Sequence, residues 1–312
     1  MSAIQISAIV PTYNRAHHLH ECLKSLLNQS LSPDNYEIIV VDDDSNDGTG
    51  VLLESLMKEN PSLRYLHQSH QGPCTARNLG AKKARGDLLY FTDDDCVVDR
   101  KCLEEMVKAY TNKNIGGLGG KILAYKQDTL AERYAEAVGI LNQKKFIDRF
   151  VVTANASYPK QVFKEVGGFD PLLSHHTDVD IGMRIKRAGY LLKYVPKAIV
   201  YHKHRSSVIT LLKQQYHYGA GHVFLHKKFP MHFSPAYLLY QLSRKIIYRF
   251  ITYPKILVTT PFSRDKALHV VSPWLDVLCY LAYMGGALHE MLRRRKYRGE
   301  IIYDKFLWMG DL

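Results

Sequence analysis

Hydrophobic and polar positions fall along this chain in repeating blocks. Residues 5–10 form a short apolar run that ends at Pro11, and Leu19, Cys22, Leu23, Leu26 and Leu27 then recur at helical spacing. The signals return in the same order. Residues 36–41 are apolar, residues 42–48 are a polar turn, and a helix capped by Thr49 or Asp47 runs to about Glu59, where Pro61 closes it. A third, shorter run covers 63–67, a helix is predicted over 74–84, and a fourth run, 87–91, stops before three consecutive acids, Asp93, Asp94 and Asp95. Four strands alternating with helices predict an α/β fold with a mostly parallel, doubly wound sheet, whose ligands gather at the carboxyl ends of the strands.

Farther along, the pattern is looser. A helix is predicted over 99–110, then a bend or strand entry at the glycine-rich stretch 116–120, which lacks the Lys-Ser/Thr of a phosphate loop. Residues 129–141 read as a helix, 151–157 as extended, and 161–165 as a short helix ended by Gly167-Gly168-Phe169-Asp170. Asp178 opens a further helix with Ile181 and Ile185 on one face, which stops at Ala188-Gly189; strands over 191–195 and 198–201 then deliver His202 and His204.

From Ser206 onward the composition changes. Leu211, Leu212, Gln215, Tyr218 and Gly219 suggest a helix, and residues 237–258 mix apolar residues with Arg244, Lys245 and Arg249, as an amphipathic helix in a membrane interface would. Residues 270–288 are apolar over a length just sufficient to span a bilayer, but Pro273 and Asp276 argue against an isolated transmembrane helix, and attachment to one membrane face is expected ahead of packing as soluble helices. A catalytic domain over 1–205 and a basic, apolar helical region over 206–312 are therefore expected.

Charge sharpens this division. The net charge of +12 is concentrated in residues 201–312, which hold 17 lysines and arginines against 6 acids, whereas residues 1–200 hold 25 against 24. Such a region suits an anionic membrane surface; nucleic acid is disfavoured because no recognised binding module surrounds the basic residues. The five cysteines are scattered without disulfide or zinc spacing, and the N-terminus has no export signal, so a cytoplasmic protein at the inner face of the cell membrane is expected.

The acid cluster carries the first chemical signal. Three adjacent carboxylates beside a core raise one another's pKa unless something positive compensates. On an extended segment Asp93 and Asp95 would point one way and Asp94 the other, an arrangement suited to a hard cation such as Mg2+ or Mn2+. Tyr13, Asp43 and the cluster each follow a predicted strand end, and Asp178 sits at a helix N-terminus, where a carboxylate meets free N–H groups.

Taken together, these segments resemble the family 2 inverting glycosyltransferases of the GT-A fold. The resemblance rests on Ile9-Val10-Pro11-Thr12-Tyr13-Asn14-Arg15, on residues 39–49 with Asp42-Asp43-Asp44-Ser45, on Gly72-Pro73 with Ala76-Arg77-Asn78, and on Asp93-Asp94-Asp95. Asn155, Val166-Gly167-Gly168-Phe169-Asp170, Asp178-Val179-Asp180 with Arg184, and Ala188-Gly189-Tyr190 complete it, over about residues 5–204. It implies that Pro11, Tyr13, Arg15, Asp43, Arg77, Asp93 and Asp94 bind a nucleotide sugar, with Tyr13 against the base and Asp43 accepting from it. It further implies that Asp95, with His202, holds Mn2+ or Mg2+ and that Asp178 is the general base.

That chemistry is coherent: a divalent ion offsets the charge of a departing nucleoside diphosphate while a carboxylate takes the proton of an attacking hydroxyl. Thr177 stands where many relatives have Glu, Asp44 where a small residue is frequent. No Gln-x-x-Arg-Trp follows the Asp178 segment, and Gln214-Gln215-Tyr216-His217-Tyr218 is found instead, so addition of a single sugar is expected. The expected donor is a UDP-sugar ahead of GDP- or dTDP-sugars, and the acceptor a glycan or lipid-linked hydroxyl in the cell envelope. The rival readings are a sugar nucleotidyltransferase, which would release pyrophosphate, and a catalytically silent sugar-binding scaffold.

Overall fold

The computed structural model describes residues 4–173, 175–229, 240, 242–251 and 266–295. These cluster into two compact units. The first holds the described residues up to Tyr125 together with Leu141–Lys203, and the second holds Lys126–Ile140 with the described part of the chain from His204 onward.

The first unit is built on an eight-stranded sheet of order β3-β2-β1-β4-β7-β6-β8-β5. Strands β1 (Ile6–Thr12), β2 (Tyr36–Asp42), β3 (Leu63–His67) and β4 (Leu88–Phe91) are parallel, joined by helices α1 (Ala16–Leu27), α2 (Thr49–Glu59) and α3 (Pro73–Lys83). β7 (Ala156–Pro159) runs antiparallel to both β4 and β6 (Ile115–Ala124); β8 (Leu191–His202) is parallel to β6, and the three-residue β5 (Cys96–Val98) pairs antiparallel with β8. The sheet is thus mixed, with its parallel half carrying the N-terminal motifs.

Why these runs are mostly apolar follows from the two cores. Ile6, Ala8, Val10, Ile38 and Val40 pack with Leu19, Leu23 and Leu26 of α1 on one face. Ile9, Ile39, Val41 and Phe91 pack on the other with Ala76 and Ala81 of α3 and with Ile181 and Ile185 of α8 (Thr177–Arg187). Helices cover both faces, so neither can be polar. Pro11 is tolerated inside β1 because the pairing with β4 ends at Ile9–Phe91, leaving no partner on that side for the missing N–H.

The glycine-rich stretch is the interior of β6 rather than a bend. A Cβ at Gly116 would lie 2.5 Å from Tyr190 Cβ, one at Gly119 2.6 Å from Gln143, and one at Gly120 2.2 Å from Asn155 Nδ2. The strand is glycine because its neighbours have taken the side-chain space. Asn155, wholly buried, donates to Lys121 O and Ala198 O at 3.0 Å each, spanning the bulge where the β6–β8 register slips.

In the second unit α5 (Leu130–Val138) begins with a capping box between Thr129 and Glu132 and ends at Gly139 in the left-handed region. It packs with α9 (Val208–Lys228) and α11 (Lys266–Arg295) around Tyr134, Leu211, Leu275 and Cys279; a helical run over 242–251 is α10. Asp276 is buried, accepting from Tyr134 Oη at 2.6 Å and pairing with Arg249 at 2.5 Å. This partnership explains an acid within an apolar stretch. Among the described residues no helix is long and apolar enough to cross a membrane. The amphipathic stretch read over 237–258 is helical where described; 237–239, 241 and 252–258 lie outside the described residues, as does Lys296.

Candidate active site

The loops after β1 and β2 are tied to each other. Asn14, at φ 52°, accepts from Asn46 N and donates its own N–H to Ser45 Oγ, both at 2.8 Å, while Asp47 accepts from Ala16 N at 2.8 Å. Two motifs about thirty residues apart are therefore one structural device, which fixes Tyr13 and Asp43 beside each other at the sheet edge.

Asp43 is buried and saturated by donors from the loop after β3. Its Oδ1 accepts from Gln68 Nε2 at 2.7 Å and Gln71 N at 2.8 Å, and its Oδ2 accepts from Gly72 N at 2.9 Å with His70 Nδ1 at 3.0 Å. Tyr13, 43% exposed, stacks on the His70 ring with centroids 4.2 Å apart. Gln68 and His70 were not legible from the sequence, since neither belongs to an apolar pattern or an acid cluster.

The acid triplet is arranged differently from the alternation expected of an extended segment. Cys96 N donates to Asp93 O at 3.1 Å, closing a turn over 93–96, so the neighbours Asp94 and Asp95 are drawn to one partner and Asp93 to another. Arg15 Nη1 lies 2.7 Å from Asp94 Oδ1 and its Nη2 2.9 Å from Asp95 Oδ2. Asp94 also accepts from Thr12 Oγ1 at 2.9 Å. Burial pushes the Asp94 carboxyl up to about 7, against the opposing charge of Arg15. Arg77, buried in α3 over the Phe169 ring, donates to Asp93 Oδ1 at 2.6 Å. The compensating charges are thus two arginines from elements distant in sequence.

Asp95 Oδ1 lies 3.4 Å from His202 Nε2, and ligand atoms of Asp95, Cys96 and His202 fall within 4.8 Å of one another. Burial raises the Cys96 thiol well above its ordinary value, and soft sulfur suits Mg2+ or Mn2+ less well than carboxylate oxygen and imidazole nitrogen do. That leaves one carboxylate and one imidazole.

Asp178 is the second residue of α8, whose N-cap His176 has φ 59°. Its Oδ1 accepts from Val179 N at 2.9 Å. Burial raises its carboxyl to about 6; Arg77 counters the shift and Asp93 adds to it. Asp180, by contrast, is structural: fully buried, it pairs with Arg184, whose guanidinium also donates to the carbonyls of Val166 and Gly168. Asn78 holds the same turn through Phe169, donating to its carbonyl at 2.7 Å and accepting from its N–H at 2.9 Å.

This sheet and its edge define the GT-A class of nucleotide-sugar folds. Family models agree: Glycosyl transferase family 2 matches residues 7–167, and Glycosyl transferase family group 2 matches residues 88–289. The chain belongs to glycosyltransferase family 2. It is 31% identical over 222 residues to glycosyltransferase AglE of Haloferax volcanii, covering 70% of this chain and 73% of that protein. Against glycosyltransferase GlyG of Streptococcus pneumoniae it is 32% identical over 123 residues, 39% of this chain and 40% of the relative. Among solved structures, the mannosyltransferase PcManGT of Pyrobaculum calidifontis, in complex with GDP-Man and Mn2+, superposes with TM-score 0.59 at 17% identity over 96% of this chain and 77% of that one. S. aureus TarS 1–349 in complex with UDP-GlcNAc gives TM-score 0.54 at 18% identity over 96% and 95%.

Proposed function

We propose that this glycosyltransferase is inverting: it moves one sugar from a nucleoside-diphosphate sugar to an acceptor hydroxyl, with Asp178 as general base. The observation that carries this reading is the position of Arg77. Its guanidinium is hydrogen-bonded to Asp93 and its charge holds down the carboxyl of Asp178, which supports reading the acid cluster and Asp178 as two sides of one site. A carboxyl raised toward 6 is ionised at neutral pH yet basic enough to take a proton, as general-base catalysis requires.

The donor set of Asp95 and His202 fits a divalent ion. One carboxylate oxygen and one imidazole nitrogen suit Mn2+, and leave positions that a diphosphate and water would fill. Bound there, the ion would offset charge on the departing nucleoside diphosphate. The Mn2+ and nucleotide sugars held by the two structural neighbours support the same reading.

Pro11, Tyr13, Arg15, Asp43, Arg77, Asp93 and Asp94 would surround the donor. For Asp43 to accept from the base, one of its present donors must give way; His70, exposed and stacked on Tyr13, is the one able to leave. Asp178 takes the acceptor proton as the hydroxyl attacks from the face opposite the leaving group, which inverts the anomeric centre. A two-domain division at about residue 205, with Lys126–Ile140 joining the C-terminal unit, a lipid-linked or glycan acceptor in the cell envelope, and a location at the inner membrane face belong to the same reading. They are supported by the basic C-terminal region and by an exposed apolar stripe on α11, where Trp274, Leu278, Leu281, Leu288 and Leu292 recur at three- to seven-residue spacing.

A panel of UDP-, GDP- and dTDP-sugars with Mn2+, run with Asp95→Ala beside the wild type, tests the metal and donor. Release of the nucleoside diphosphate from one donor, lost on chelation and in the variant, is expected. Release indifferent to both would contradict the metal assignment, and release of pyrophosphate would contradict glycosyl transfer.

A further inference from the structure

Arg15 stands at the junction of β1 and α1, with a non-helical backbone (φ −142°, ψ 37°) directly after the left-handed Asn14. From there its side chain, 31% exposed, places one guanidinium nitrogen on each of two buried neighbouring carboxylates, Asp94 and Asp95. Two adjacent buried carboxylates repel, and this guanidinium is what the structure supplies against that repulsion. The two acids are not equivalent. Asp94 has a second donor in Thr12, whereas Asp95 is the carboxylate that lies with His202.

We propose that Arg15 is the resident counter-ion of the cation site: it bridges Asp94 and Asp95 before a divalent ion binds, and gives up Asp95 while keeping Asp94 when the ion arrives. This rests on the reading of Asp95 as the metal ligand. An ion on Asp95 would stand within a few ångströms of Nη2, and a divalent charge repels a guanidinium twice as strongly as a univalent one would. The partial exposure of the side chain gives Nη2 room to withdraw while the backbone after β1 stays tied to the loop after β2, and Nη1 keeps its hold on Asp94. One consequence is coupling. The ion alone must displace Arg15 and so binds weakly, whereas an arriving diphosphate brings negative charge that favours both the ion and the displaced guanidinium. Arg15 therefore makes cation binding depend on the nucleotide, and the dependence is reciprocal.

The test is binding, not turnover. Mn2+ is titrated into wild type, Arg15→Met, Arg15→Lys and the double variant Arg15→Met/Asp95→Ala, with and without UDP or GDP, by calorimetry and by the electron paramagnetic resonance of free Mn2+. Without nucleotide, Arg15→Met is expected to bind Mn2+ on the order of tenfold tighter than wild type, a change of about 1.4 kcal/mol. The double variant should lose that gain, and Arg15→Lys, one point charge in place of a fork, should fall between. The tightening of Mn2+ by nucleotide should shrink in Arg15→Met, and added Mn2+ should raise its melting temperature more than that of wild type. Equal or weaker Mn2+ binding by both Arg15 variants, in a protein whose nucleotide-dependent Mn2+ binding still requires Asp95, would overturn the proposal alone. Mn2+ binding indifferent to Asp95 in every variant would instead overturn the metal assignment on which it rests.

Discussion

Asn78 and Phe169 hold each other by two hydrogen bonds, side chain to backbone in both directions, at 2.7 and 2.9 Å across 91 residues. The neighbour of Asn78 on α3 is Arg77, whose guanidinium lies 5.8 Å from the centre of the Phe169 ring. Asn78 thus docks the 167–169 turn beside the arginine that pairs with Asp93. Asn78→Ala leaves a buried N–H and carbonyl without these partners, and a loss of about 2–3 kcal/mol in unfolding free energy is expected. Urea denaturation with unchanged m-value is the check; a loss below 0.5 kcal/mol would mean the turn is held elsewhere.

Gly120→Ala tests the strand reading of the glycine-rich stretch. Its Cβ would sit 2.2 Å from Asn155 Nδ2 and 2.5 Å from Ala198 O, so Asn155 would have to leave the bulge it bridges. Overpacking of this kind costs about 1–3 kcal/mol, and here a lost pair of buried hydrogen bonds adds to it. Thermal melts of Gly120→Ala and, for contrast, Gly189→Ala separate crowding from conformation: Gly189 has φ 89° but nothing near its Cβ.

What was legible in the sequence was whatever buries on a regular period. β1, β2 and β4 announce themselves because helices cover both faces of the sheet, and Leu19, Leu23 and Leu26 mark the buried side of α1. β5 and β7 are three and four residues long, too short for a period, and β6 is hidden because its neighbours exclude side chains. At the site, the acids could be read but their partners could not. Arg15 meets Asp94 and Asp95 across 79 and 80 residues, and Tyr134 meets Asp276 across 142; no local pattern encodes such contacts.

Asp178 carries two opposed expectations. Its carboxyl is raised from 3.8 to about 6, mainly by burial, so the rate should fall as pH drops through about 6 and the base is protonated. Arg77 holds that value down, and Arg77→Met should move the acid limb upward as well as slow the reaction. For stability the sign is reversed. The folded carboxyl takes up its proton more readily than the unfolded one, so its contribution is full at acid pH and lost as pH rises from about 4 to 6. At pH 7.5 Asp178→Asn should therefore unfold at higher denaturant, by up to roughly 3 kcal/mol. A destabilised variant would contradict this placement of the charge.

The exposed stripe on α11 can be tested without any assay of transfer. Wild type is expected to sediment with vesicles of anionic phospholipid and not with neutral ones, and Trp274→Ser/Leu278→Ser/Leu281→Ser to stay in the supernatant. Binding of the triple variant at wild-type level would remove this face from the account.

The central claim is that Asp178 takes the acceptor proton. The direct measurement is nucleoside diphosphate release from the donor and acceptor pair that the wild type uses, with donor affinity measured in parallel for Asp178→Asn. Turnover lower by at least about a hundredfold, with a donor Kd within a few-fold of wild type, is the expected result for loss of a general base. Turnover close to wild type would contradict it.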